Sequence, residues 1–192
     1  MEMYHVTIQG IAPLLIHAFA DDFGLDNKVA KKKKGADHGT PREQAEKALY
    51  AEKNGLLYIP STWIKGSLMD VASEYKLPGS RKSLKSVLGG AVIPLDEKMS
   101  FSKKIFKKDI EIDSRPVSIQ RANSKIMRHR GRIEIPWKLS CDLQIETSIV
   151  PAETVHELLG DAGRRAGIGD FRPSKQGPFG RYQVSNWTKR RN

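Results

Sequence analysis

Two stretches of the chain set glycines and cations at the junctions of helices and strands, where free backbone N–H groups can meet an anion. The first is Leu57-Tyr58-Ile59-Pro60-Ser61-Thr62-Trp63-Ile64-Lys65-Gly66-Ser67-Leu68. It reads as a strand passing through Pro60 and Ser61 into a helix whose first turn carries Lys65 and Gly66. The helix dipole disfavours a cation there, by roughly 0.3–1 kcal/mol. A phosphate resting on the N–H groups reverses that sign, and Gly66 lets it approach closely. Ser61, Lys65 and Gly66 are therefore candidate phosphate contacts. The competing reading is an ordinary helix start with a solvated lysine.

The second stretch runs from Ala166 to Tyr182 and holds Gly167, Gly169, Gly177 and Gly180 with Arg172, Lys175 and Arg181. Glycines permit close backbone approach, and cations match phosphates. Phe171, Phe179 or Tyr182 offers a ring on which a base can stack. The candidates here are Gly167, Gly169, Arg172, Lys175, Gly180 and Arg181. The glycines follow a helix and precede a strand, the wrong order for a P-loop or a dinucleotide fingerprint. A tight loop with core aromatics is the alternative.

A third segment, Asp113 to Arg132, is densely cationic: Arg115, Arg121, Lys125, Arg128, His129, Arg130 and Arg132. Arginine forks suit phosphate oxygens and stack on bases. Arg115, Arg121, Arg128, Arg130 and Arg132 join the candidates, against the alternative of a solvated hairpin. Catalytic patterns are thin. His5, His17, His38, His129 and His156 show no paired metal spacing, and Cys141 alone cannot build a zinc site. Neither a metal nor a cofactor is expected. Asp21, Asp22 and Asp26 lie beside Lys31 to Lys34 and suit a solvated acidic loop first, with binding of a divalent ion or acid–base work on RNA as the alternatives.

The elements that must position these residues follow from periodicity. Tyr4 to Ile8 alternates as a strand ending at Gly10, and Ile11 to Phe19 continues it or forms its exit. Asp21 to Thr40 is a long loop. Thr40-Pro41-Arg42-Glu43 has the form of a capped helix start, reaching to about Tyr50. Leu56 to Ile59 is a brief strand, and the helix after Pro60 puts Ile64, Leu68, Val71, Ala72 and Tyr75 on one face. A weaker helix spans about Lys82 to Leu88 and ends at Gly89-Gly90, with short strands near Ala91 to Ile93 and Ile110 to Ile112. Gln120 to Gly131 is a hairpin or extended arm, and Trp137 to Ile149 alternates as a half-buried strand. Pro151 opens a last helix with Val155, Leu158, Leu159 and Ala162 inward, and Phe179 to Trp187 closes as a strand. This is an α+β pattern suited to a ferredoxin-like antiparallel sheet with helices on one face. One domain over 1–192 is expected, with insertions at about 21–40 and 113–132.

The chain has 192 residues and a net charge of +11, which attracts polyanions: nucleic acid first, anionic membrane second. No apolar run reaches the roughly 20 residues that span a bilayer. The start, Met1 to His5, lacks the pattern of a signal peptide, and a lone cysteine suits a cytosolic setting.

Taken together, Ile59-Pro60-Ser61-Thr62-Trp63-Ile64-Lys65-Gly66 and the glycine-rich segment from Gly167 to Tyr182 resemble the RAMP superfamily, the RRM-like backbone subunits of CRISPR effector complexes. Members carry an Ile-Pro-Gly-Ser-Ser-Leu-Lys-Gly-like segment at a helix start and a glycine-rich loop near the carboxyl terminus, in this order. This chain departs from the pattern in lacking glycine after Pro60, in placing Trp63 where a small residue is usual, and in being short. The resemblance implies an RRM-like fold, head-to-tail assembly along RNA and a protruding hairpin, either the segment around Arg121 to Arg132 or the loop from Asp21 to Thr40. In some members a loop aspartate cleaves target RNA, and Asp26 is the local match. A small stand-alone or phage- or plasmid-borne relative is equally compatible. The expected partner is single-stranded nucleic acid, RNA favoured, with a homo-oligomer or filament and other effector subunits. The competing classes are a ribonuclease acting through Asp26 or His129, and a protein-binding inhibitor or adaptor.

Overall fold

The computed structural model describes residues 1–18, 39–119 and 124–191. Its main sheet is antiparallel, in the order β3-β5-β8-β1-β9, with β4 also pairing β8. The strands are β1 (Glu2–Gly10), β3 (Tyr58–Pro60), β4 (Val92–Pro94), β5 (Lys98–Phe101), β8 (Lys138–Ile145) and β9 (Tyr182–Lys189). Strict alternation sets its inner face: Tyr4, Val6 and Ile8 of β1 lie opposite Leu143, Cys141 and Leu139 of β8, all buried. The other face of this strand pair is polar, with His5 bonded to Asp142 at 2.7 Å and Thr7 to Ser140 at 2.9 Å.

Helices α2 (Thr62–Val71) and α4 (Ala152–Arg165) cover the inner face, with α3 (Lys85–Ala91) alongside α2. Val155, Leu158, Leu159 and Ala162 of α4 are fully buried, as periodicity predicts. Each of the three larger side chains contributes about 1.5–3 kcal/mol by leaving water. Inside this layer, Ser67 of α2 bonds Tyr182 of β9 at 3.1 Å, joining helix to sheet edge.

A second sheet, in the order β2-β7-β6, carries the hairpin: β2 (Leu14–Ile16), β6 (Glu111–Ile119) and β7 (Ser124–Ile133). The hairpin is rooted by Leu14, Leu15 and Ile16 pairing with Ile133, Arg132 and Gly131. Pro116 is tolerated because β6 is the sheet's edge. Helix α1 (Pro41–Lys47) starts as predicted, with a capping box between Thr40 and Glu43, and packs on β7.

Four expectations are corrected. Of the stretch Ile11 to Phe19, whose last residue lies outside the described residues, the described strand is β2, which belongs to the second sheet rather than continuing β1. Helix α3 runs through Gly89-Gly90 to Ala91, because Leu88 and Ala91 are both buried and packing outweighs glycine's low propensity. Strand β8 stops at Ile145, where Glu146 turns the chain by accepting the N–H groups of Ile149 and Val150. Strand β5, unforeseen, exists through its pairing with β3 and β8, with Met99 and Phe101 buried.

Candidate nucleic-acid interface

Strand β3 delivers the chain into α2 as expected, but the side chains there divide. Ser61 is buried, makes no capping bond through its hydroxyl, and donates its N–H to Glu97 O at 3.0 Å. Lys65 turns away from the helix start: its Nζ donates to Gly89 O, at 2.6 Å, near the carboxyl end of α3. A cation there meets the negative end of a dipole, so the charge that looked unfavourable on α2 is favourable on α3. One of the three donors of the Lys65 ammonium is thus given to α3, and its contact with a phosphate stays an expectation. Gly66 is different again. A Cβ built on it meets no heavy atom within 4 Å.

The glycine-rich loop is sewn onto β2. Gly167 N–H returns to Ala162 O at 2.8 Å and ends α4 with φ of 68°. Ile168 N–H donates to Gly180 O at 2.9 Å, Gly180 N–H to Pro13 O at 2.8 Å, and Asp170 N–H to Leu15 O at 2.9 Å. Gly169 (φ 83°) and Gly180 (φ 66°) are forced by these contacts, since a Cβ would lie 2.5 Å from Leu15 O and 1.8 Å from Ile168 O respectively. Of the three aromatics proposed as stacking surfaces, Phe179 and Tyr182 are spent on packing, while Phe171 is only half-buried. Tyr182 is fully buried, and Phe179 is buried against Phe171 with Arg115 lying 4.8 Å over its ring. Lys175 and Arg181 are exposed on the outside of the loop.

The hairpin's arginines are mostly committed to carboxylates. Asp113 accepts Arg115 Nε at 3.0 and 2.9 Å and sits 3.9 Å from Arg130. Arg130, with a side chain only 4% exposed, donates Nε to Asp170 at 2.6 Å, and Arg128 stands 3.7 Å from the same carboxylate. This chain of three guanidiniums and two carboxylates ties hairpin to glycine loop. Arg132 is held by Glu134. Arg115, Arg130 and Arg132 are thus bound in ion pairs. Partial burial pushes the Asp170 carboxyl up, but the hydrogen bond and charge of Arg130 outweigh it and hold it below its usual value. His17 is half-buried at the same place. Burial first, then the charge of Arg128, pushes its imidazole down.

These elements enclose a cavity of about 410 Å³. Of the predicted residues it gathers Gly66 from α2, Arg128 from β7, and Gly169 and Arg172 from the glycine-rich loop. Arg172 is steadied there by bonds to Gly169 O at 3.1 Å and to Asp70 at 3.3 Å. Sequence reasoning missed His17, Tyr50 and Asp170, which complete the wall, and noted Trp63 only as a departure. Arg121 and Asp26 lie outside the described residues. Among the described residues no cluster of His, Cys, Asp and Glu is arranged to hold a metal ion, and no helix is long and apolar enough to cross a membrane.

The architecture is an RRM-like α+β fold, an antiparallel sheet with helices on one face. It is shared with a chain of the type III-B Cmr-beta complex solved by cryo-EM bound to cognate target RNA, at a TM-score of 0.60 and 10% identity, over 98% of this chain and 60% of that one. The chain therefore spans about three-fifths of that neighbour's length. No protein-family model and no curated protein matches the sequence.

Proposed function

We propose that this protein binds the sugar-phosphate backbone of single-stranded RNA, as a non-enzymatic, repeating subunit of a CRISPR-type or CRISPR-like ribonucleoprotein in the cytoplasm. The observation that carries the reading is the convergence of Arg128, Arg172 and the uncovered backbone of Gly66 on one cavity. Two half-exposed guanidiniums offer forks to phosphate oxygens, and no side chain at Gly66 bars the strand. The net charge of +11 steers a polyanion toward it. Around this centre, Lys175, Arg181 and the hairpin over 113–132 extend the path, and the whole chain acts as one domain. The neighbour's presence in an RNA-bound complex supports RNA over DNA as ligand, and assembly with copies of itself and with other effector subunits is part of the same proposal.

The test is a salt series of binding isotherms with a fluorescein-labelled single-stranded RNA, read by anisotropy. Each neutralised phosphate contributes about 0.7 to the slope of log affinity against log salt. Arg128→Ala and Arg172→Ala should each reduce the slope by about that amount. Affinity that does not change with salt would sink the proposal.

A further inference from the structure

The cavity has a wall that a phosphate does not need. Trp63 and Tyr50 both line it, neither fully buried. Their rings meet edge to face, with centroids 5.6 Å apart at 86°. The glycine loop abuts the indole, with Trp63 Cζ3 lying 3.4 Å from the Cβ position of Gly169. An aromatic wall thus stands within the same small space as Arg128, Arg172 and His17.

RRM sheets stack bases on rings carried by their open face. Here the open face of the central strands β1 and β8 carries Met3, His5, Thr7 and Gln9 against Gln144, Asp142, Ser140 and Lys138, with no ring larger than imidazole. Tyr4 points the other way, stacked on Trp187 at 4.8 Å. Of the loop aromatics, Phe179 and Tyr182 are buried, and the half-buried Phe171 packs on Phe179 with centroids 6.0 Å apart. The outer strand β3 does carry a ring on the open face, Tyr58, but Lys98 Nζ lies over it at 4.7 Å; what the central strands do not offer, the cavity does. Its volume of about 410 Å³ falls within the range of pockets that enclose small molecules, about 300–1,000 Å³.

We infer that the cavity takes one unstacked nucleotide of the bound strand, its base lying on Trp63 and its phosphate held by Arg128 and Arg172. This rests on the RNA-binding reading above and deepens it from backbone contact to capture of a nucleotide. Every base has a π face, so the pocket adds affinity without selecting a sequence.

The experiment titrates the protein with a single-stranded oligoribonucleotide and with an abasic ribose-phosphate chain of equal length, following tryptophan emission and affinity together. Trp137 is buried and Trp187 is sandwiched between Tyr4 and His156, so Trp63 is the indole placed to respond. RNA should quench emission, the abasic chain should not, and Trp63→Phe should abolish most of the quench while weakening RNA binding only a few-fold. Trp63→Ala should weaken RNA binding about 5- to 150-fold, leave binding of the abasic chain unchanged and leave the salt slope intact. Equal binding of the two ligands by wild type without quenching overturns the nucleotide pocket and leaves the phosphate grip standing. Binding of neither ligand overturns the RNA reading itself, and the pocket with it. The wild-type comparison and Trp63→Phe decide the matter even where Trp63→Ala fails to fold.

Discussion

The start of α2 and the loop after α4 both place glycine at a helix–strand junction suited to a phosphate, and in sequence they look alike. In space they are opposites. Gly66 has helical backbone and open surroundings, so nothing in the fold demands the missing side chain. Gly169 and Gly180 have positive φ and carbonyl oxygens pressed against them, so the fold demands glycine whether or not a ligand arrives. A residue that the fold does not need is the better pointer to function. Gly66 also carries a cost, since a glycine inside a helix destabilises it by roughly 0.5–1 kcal/mol relative to alanine.

The largest effect that this contrast predicts is at Gly180. Gly180→Ala puts a Cβ 1.8 Å from Ile168 O in left-handed backbone. Strain and overpacking together should cost about 3–5 kcal/mol in urea unfolding. Stability within 1 kcal/mol of wild type would show that the loop relaxes freely and would remove the distinction between the two glycine sites.

Next is Asp170, the link by which the loop grips the hairpin. Asp170→Asn leaves the buried Arg130 with Asp113 as its remaining charge partner, 3.9 Å away. The loss should be about 2–3 kcal/mol at neutral pH, the low side of a broken buried pair. The sign of the pH dependence follows from the lowered folded-state value of Asp170. Its stabilisation is complete above the unfolded-state pKa, near 3.9, and is lost as pH falls through the lower folded value. The gap between wild type and Asp170→Asn should therefore narrow as pH falls below about 4. A constant gap would place the origin of the loss in side-chain shape rather than in charge.

What the sequence disclosed, and what it concealed, divides along the same line. Periodicity is local, so the inner faces of β1, β8 and α4 were legible, as were the cap at Thr40 and the arginine hairpin. The cavity is not local. Its wall draws on residues near positions 17, 50, 63, 128 and 170, which only the crossing of β2 from one sheet toward the other brings together. The partners of the cations were equally hidden. A basic segment read as free phosphate ligands contains Arg130, whose carboxylate partner lies 40 residues further on. A lysine read from its own helix answers to another.

At the site itself the effects on stability are smaller and act in the opposite direction to those on binding. Gly66→Ala should raise stability by about 0.5–1 kcal/mol while weakening RNA binding, because the new methyl enters space that the strand needs. Should binding survive that substitution unchanged, the strand does not pass over α2.

The smallest expected effect, and the most discriminating for α2, is that of Lys65→Met. Removing the ammonium from Gly89 O deprives the end of α3 of a favourable charge, which costs about 0.3–1 kcal/mol. If Lys65 serves α3 alone, the salt slope of RNA binding should stay at its wild-type value, whereas Arg172→Ala lowers it by about 0.7. A matching drop in Lys65→Met would mean that the lysine leaves Gly89 for a phosphate when RNA binds. In that case the first turn of α2 regains the role its sequence suggests, and Gly66 and Lys65 act on one phosphate together.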